Sequence, residues 1–337
     1  MHAGKLPHDL LASLLQRIQR RDPRVVIGPG IGHDAAVIDT DGPELLVAKT
    51  DPITLAGDMA GWYAVHVNAN DIACTGAKPE WFLATLLLPA GAEPQLAEEI
   101  FAQITEACAT LGVTLVGGHT EITRVLDRPI VVGAMLGQVA RERLVRPDGG
   151  KPGDALILTK GIAVEGTSVL ARDAPDRLRA LGVSEKSIGA GTSYLTDPGI
   201  SVVLDARVAC DTASVHAMHD PTEGGLATAL YEMAEASRVG IVIDRDTVNV
   251  LPAAVEISAA AGLDPLGLLA SGALLIALAG DDCGGVISAL AEAGVPAARI
   301  GSLVSPDSGV IMSDKSGRRS VPHFETDEVA RFLTQPH

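Results

Sequence analysis

Three apolar runs constrain this chain more than any other feature: "ELLVAKT" at 44–50, "WFLATLLL" at 81–88 and "IVVGAMLGQV" at 130–139. Each has the length of a strand and is apolar over most of it, the pattern of a sheet covered on both faces. Apolar periodicity predicts helices over 59–76 and 95–111 between these strands, and two helices alone do not suffice to cover two faces. The expectation is that a second copy of the chain covers the rest.

The first of those helices raises a sharper question. On a helical wheel Trp62, Val65, Ala69 and Ile72 share one side, while Ala64, Asn68, Asp71 and Thr75 share another. A buried carboxylate is costly unless paired, so this stripe is either a wet face or one that meets a cation or ligand. The helix alone leaves both readings open.

At 337 residues and 47% hydrophobic composition the chain is long enough for two cores. The turn-rich "VRPDGGKPGD" separates two halves, which places the domains at 1–148 and 149–337. A helix is expected over 7–20, from the spacing of Leu6, Leu10, Leu14 and Ile18. With 42 acidic against 26 basic residues the net charge is −16, which repels a phosphate backbone and argues against nucleic acid as a partner. The 4 cysteines have no CxxC spacing, which argues against a zinc site or disulfide framework and fits a reducing cytoplasm. The N-terminus lacks a signal peptide's apolar core, and the longest uncharged apolar stretch, at 265–280, falls short of a bilayer span. A cytoplasmic protein without membrane contact is therefore expected.

Acidic residues recur where strands are expected to stop. Asp34 follows the Gly-rich "GPGIGH", Asp51 ends a strand, His119 and Glu121 follow Gly117-Gly118, and Asp220 and Glu223 occupy "DPTEGG". Carboxylates supplied by several loops suit Mg²⁺ carrying a nucleotide, and glycines let backbone amides approach phosphate. Read singly, each motif is weak. "GPGIG" precedes a strand, no Walker pattern exists, and "DPTEGG" reads equally as a turn in which Asp220 or Thr222 caps the next helix.

The ordered set is more specific. "GIGHDAAVI", "AKTDPIT", "GWYAVHVNANDIACTGAKPEWFLATLLLP", "VGGHTEIT", "KPGDALILTKGIAVEGTSVLARD", "HDPTEGGLATAL" and "LASGALLIAL" resemble, in order and spacing, the aminoimidazole-ribonucleotide synthetase (PurM-like) superfamily. Within it the chain looks most like the hydrogenase maturation factor HypE and its relatives, then thiamine-monophosphate kinase. The resemblance implies a two-domain α+β fold. Its N-terminal mixed sheet would form a barrel across a homodimer, its C-terminal part would be an α/β sandwich, and Mg-ATP would lie in the clefts. It implies Asp34, Asp51, Asp71 and Asp220 as metal ligands, with Lys49, Thr50, Asn68, Gly117, Gly118 and Thr120 contacting nucleotide. His119 and Glu121 become the acid–base candidates.

The implied activity is ATP-dependent activation or phosphorylation of a small-molecule or protein acceptor. A thiamine-monophosphate-type kinase and a nucleotide-binding partner without turnover are the alternatives. Three departures stand out: His33 replaces an acidic residue, His119 stands where many members have Asp, and Pro336-His337 stands where HypE ends in a carbamoyl-accepting cysteine.

Overall fold

The computed structural model describes residues 6, 8–18, 22–54 and 58–335. Part of the expected 7–20 helix and the Pro336-His337 end lie outside these residues. The N-terminal half comprises α1 (His8–Leu15), β1 (Val25–Ile27), β2 (Ala36–Asp39), β3 (Glu44–Ile53), α2 (Ala60–Cys74), β4 (Lys78–Pro89), α3 (Pro94–Leu111), β5 (Thr114–Thr123) and β6 (Ile130–Ala140). Its six strands form a mixed sheet in the order β1-β2-β3-β6-β4-β5, with β4 and β5 parallel and the other pairs antiparallel.

The C-terminal half opens with β7 (Ala155–Thr159), α4 (Val164–Asp173), α5 (Pro175–Ala180), α6 (Glu185–Ser193), α7 (Val203–Thr212), β8 (Val215–His219) and α8 (Gly225–Ser237). It continues through β9 (Gly240–Asp244), α9 (Pro252–Ala261), β10 (Leu275–Leu278), α10 (Cys283–Glu292), β11 (Ala297–Val304), β12 (Val310–Asp314), β13 (Gly317–Ser320) and α11 (Glu328–Thr334). The second sheet runs β13-β12-β9-β11-β7-β10-β8. Two sheets in a two-domain α+β arrangement are what the family resemblance implied.

The two sheets differ in how one chain covers them. In the first sheet β6 alternates strictly between buried and half-buried residues, because α2 and α3 cover only one face. The strands buried on both faces are β7 and β10 of the second sheet, where every residue is buried. One core, with Leu156, Leu158 and Leu230, fills one side of that sheet, and another, with Ile157, Ala206 and Leu290, fills the opposite side. Helix α1 forms within the expected span, with its apolar residues Leu10 and Leu14 exposed. Among the described residues no helix is long and apolar enough to cross a membrane.

Helix α2 has no wet face. All of its residues from Ala60 to Cys74 are buried, Asn68, Asn70 and Asp71 included. It lies between the first sheet, α3 and the second domain. Asn70 is the seam: its Nδ2 donates to the Ile200 carbonyl and its Oδ1 accepts from the Val202 amide, each at 2.8 Å. Asn68 packs so tightly against β6 that a Cβ on Gly133 would lie 2.4 Å from its Nδ2, which accounts for a glycine inside an otherwise bulky strand.

Replacing Asn70 by Leu keeps the volume but leaves the Ile200 carbonyl and Val202 amide buried without partners. The expected cost is about 2–6 kcal/mol, from roughly 1–3 kcal/mol for each of the two orphaned groups. It is read from the shift of the urea unfolding midpoint, with exposed Phe101→Ala as a control. An Asn70→Leu chain as stable as the parent would remove Asn70 from the seam.

Candidate active site at the domain seam

Four of the predicted acidic residues meet, directly or through one basic side chain, where the two domains touch. Asp34 arrives on the turn before β2, Asp51 on β3, Asp71 on α2, and Asp220 just after β8. Strand β3 runs two residues past Asp51, so Asp51 sits within the strand and not at its end as expected. Lys49, on the same face of β3, reaches Asp71 Oδ2 at 3.1 Å and Asp51 Oδ2 at 3.4 Å.

Across the seam, His219 Nδ1 lies 2.9 Å from Asp34 Oδ2, and its Nε2 lies 2.9 Å from Glu232 Oε2 on α8. An imidazole flanked by carboxylates on both nitrogens donates twice, which only the protonated ring can do. Burial opposes that charge, but Asp34 and Glu232 outweigh it and hold the His219 pKa well above the usual imidazole value. Lys49 behaves alike: burial disfavours its charge, while Asp71, Asp51 and Asp34 raise its pKa.

The carboxylates carry the opposite strain. Burial, reinforced by Asp34, pushes Asp220 up to about 7, against the pull of His219 and Lys49. Burial also lifts Asp71 well above the ordinary range, with Lys49 opposing and Asp220, Asp34 and Asp51 adding to the rise. Asp71 Oδ2 and Asp220 Oδ2 are both buried without a hydrogen bond, although the former keeps its ion pair with Lys49.

Ligand atoms of Asp34, His219 and Asp220 lie within 4.8 Å of one another. Hard oxygen donors, among them a buried Asp220 oxygen without a hydrogen bond, fit a divalent cation. Asp34 and Asp220 would hold it, with Asp71 beside them. Bound there, it would supply positive charge to phosphate oxygens.

The other predicted residues divide. Thr50 Oγ1 donates to the Gly133 carbonyl at 2.8 Å, and Asn68 Nδ2 to the Ala64 carbonyl at 2.8 Å. Both amide and hydroxyl protons are therefore committed to backbone, although Asn68 Oδ1 is buried without a partner. Gly117, Gly118, His119, Thr120 and Glu121 do not join the cluster within one chain. They lie inside β5 and not in a loop after it, fully exposed along the sheet edge.

Asp51, Gly133, Ala84 and Gly118 stand in one transverse row. Three strand spacings put Gly118 roughly 14 Å from Asp51. Gly118 is required by the sheet, since a Cβ there would sit 1.9 Å from the Ala84 carbonyl oxygen, whereas one on Gly117 would meet nothing within 4 Å. His119 Nε2 is 3.8 Å from Glu121 Oε2, a loose pair in solvent. His33, expected to weaken a metal site, turns its Nδ1 to the Gly28 carbonyl at 2.8 Å and ties down the Gly-rich turn.

The expected caps of α8 are also corrected. Neither Asp220 nor Thr222 caps it; its N-cap is Gly224, whose amide donates at 2.8 Å to Asp327, the residue before α11. Asp220 is thereby left for the cluster. Sequence reasoning missed His219 and Glu232. His219 stood beside Asp220 in "HDPTEGG" and was legible there, whereas Glu232 enters only because α8 turns it back toward β8.

Comparison with known proteins covers both domains. The N-terminal-domain model of the AIR synthase related proteins matches residues 32–139, and the C-terminal-domain model matches residues 151–314. A putative hydrogenase expression/formation protein of Methanocaldococcus jannaschii is 31% identical over 335 residues, covering 97% of this chain and 96% of the relative. Carbamoyl dehydratase HypE of Rhizobium leguminosarum bv. viciae is 28% identical over 313 residues, covering 89% and 86%. The crystal structure of hydrogenase maturation protein HypE in complex with ATP matches with a TM-score of 0.73 at 24% identity, over 97% of each chain. With both domain models matched in order and a relative aligned from end to end, the chain belongs to the AIR synthase related protein family and is HypE-like.

Proposed function

We propose that this protein is an ATP-dependent enzyme of the HypE-like, hydrogenase-maturation kind, which uses Mg-ATP to activate or phosphorylate an acceptor. The observation that carries the reading is the meeting of Asp34, His219 and Asp220 at the seam, with Asp71 near enough to feel the charge of both carboxylates and Asp220 Oδ2 buried without a hydrogen bond. A cluster so rich in buried acid is held by Lys49 and protonated His219, and a bound divalent cation would satisfy what they leave. Relatives named carbamoyl dehydratase HypE, and a similar structure solved with ATP, support the nucleotide.

In this reading Asp34, Asp71 and Asp220 orient the metal-nucleotide, and Lys49 holds Asp71 and Asp51 in place. The acceptor comes from outside the chain's own cysteines. Cys74, Cys108 and Cys283 are buried and Cys210 is half-buried. Burial, the main cause throughout, pushes Cys108 and Cys210 up to about 11 and raises Cys74 and Cys283 as well. None is an activated thiolate.

A homodimer through the first sheet belongs to the same reading. The face of that sheet away from α2 and α3 presents half-buried Leu83, Leu87, Val132 and Leu136, and edge strand β5 exposes Val116 and Ile122. A second copy against this face would cover them and bring His119 and Glu121 to a shared cleft.

Mg-ATP should raise the thermal midpoint of the protein, since a ligand at a hundredfold excess over Kd adds about 2.7 kcal/mol. Asp71→Asn should remove most of that shift, measured by scanning fluorimetry with and without Mg-ATP. An undiminished shift would exclude Asp71 from the site. ADP release stimulated by an acceptor separates an enzyme from a binding protein, and thiamine monophosphate is the acceptor to try for the kinase alternative.

Incubation with ATP, a carbamoyl donor and its transferase should leave Cys74, Cys108, Cys210 and Cys283 unmodified in peptide mass spectra. A carbamoyl or thiocyanate adduct on any of them would overturn the external-acceptor reading. Light scattering at micromolar concentration should return twice the chain mass; a monomer would sink the dimer.

A further inference from the structure

A second set of polar groups, buried or half-buried, gathers around Asp51. Asp51, Thr222, Glu223, Glu165 and Ser271 line one cleft, with Val67 of α2 in its wall. Glu165 stands in the first turn of α4 and is only 8% exposed. The chain enters that turn through Ala163, a non-glycine residue at φ 63°, a conformation that costs energy and persists where surrounding structure imposes it.

Ser271 has no exposed surface, and its Oγ, beside Glu165, makes no hydrogen bond of acceptable geometry. The lining carries three carboxyl groups, on Asp51, Glu165 and Glu223, and neither lysine nor arginine. Burial pushes Glu165 up to about 8, eased by Ser271 and reinforced by Glu223, Asp327 and Asp220. An anionic acceptor group would meet like charge here, whereas a cation or N–H donor would meet acceptors on several sides.

We infer that this cleft is the acceptor pocket, and that it takes an acceptor presenting a cationic nitrogen, an amine or amidinium, to Glu165 and Glu223. The inference rests on the Mg-ATP reading above for the meaning of the neighbouring cluster. Asp51 is the hinge between the two. It lines the cleft and lies 3.4 Å from the Lys49 ammonium that holds Asp71, so an acceptor in the cleft sits next to the metal-nucleotide. Glu165 is a positioning residue: it fixes the cationic end of the acceptor while another part faces the nucleotide. Ser271 completes the contact with its unused hydroxyl.

The test is direct binding of small probes by saturation-transfer NMR, with propylammonium and acetamidinium as cations and propionate as the matched anion, each with and without a non-hydrolysable Mg-ATP analogue. Both cations should bind the parent chain and propionate should not. Glu165→Gln, which keeps the side-chain volume, should weaken cation binding about tenfold at pH 9, where the Glu165 carboxyl is ionised and both probes remain cations, the scale of one lost charge-assisted hydrogen bond. Ser271→Ala, which deletes only an unpaired hydroxyl, should fold normally and weaken the cations by a smaller factor; it decides the matter if Glu165→Gln fails to fold.

Propionate binding as tightly as propylammonium, or cation affinity within twofold of the parent in the folded variants, would overturn the inference. The nucleotide reading is judged separately by the Mg-ATP thermal shift of the parent and of Asp71→Asn. A normal shift with no cation preference defeats the pocket alone. Cation binding without any nucleotide shift defeats the Mg-ATP reading alone.

Discussion

Helix α2 holds the molecule together because it is buried on every side while carrying polar groups that must be satisfied there. An amphipathic helix leaves its polar stripe to water; here the stripe faces protein, and each member needs a partner. Asn70 finds two on the second domain's backbone, Asn68 binds its own helix, and Asp71 takes the Lys49 ammonium. The domain seam and the acidic cluster are thus consequences of one packing decision. If α2 shifted, the Asn70 bonds and the Asp71 ion pair would be lost together.

Charge balance at the seam has the same character. A protein with a net charge of −16 gathers carboxylates where water is excluded, and two basic side chains hold them. His219 is clamped between Asp34 of the first domain and Glu232 of the second, so its proton is shared by both halves. Lys49 joins β3 to α2 in the same way. These pairs leave Asp220 Oδ2 without a hydrogen bond and Asp71 Oδ2 with the Lys49 ammonium alone. Burying such oxygens is unfavourable unless a ligand compensates, which is the physical content of calling the seam a site.

Glycines in this fold answer to neighbouring strands as well as to turns. Gly118, beside Gly117 in β5, is demanded by the Ala84 carbonyl of the adjacent strand. Gly224, by contrast, does open a helix, with its amide capped by Asp327 from more than a hundred residues away in sequence. A loop motif states that the backbone needs freedom at a position. It does not state whether a ligand or a neighbouring strand imposes that need.

The amino-acid sequence by itself determined most of the elements and the family. Strands β3, β4 and β6, helices α2 and α3, and the acidic residues Asp34, Asp51, Asp71 and Asp220 were legible from periodicity and from the order of motifs. It could not decide which face of each element was covered. Within one chain the long apolar strands of the first sheet are covered on one face, while the short β7 and β10 are buried on both. Local patterning reports how apolar a segment is, and only packing reports what stands against it. Nor could spacing reveal that Lys49 serves Asp71, that His219 bridges the domains, or that Glu165 and Ser271 share a cleft with Asp51. Those relations join residues tens to hundreds of positions apart, and tertiary structure alone brings such residues within reach of one another.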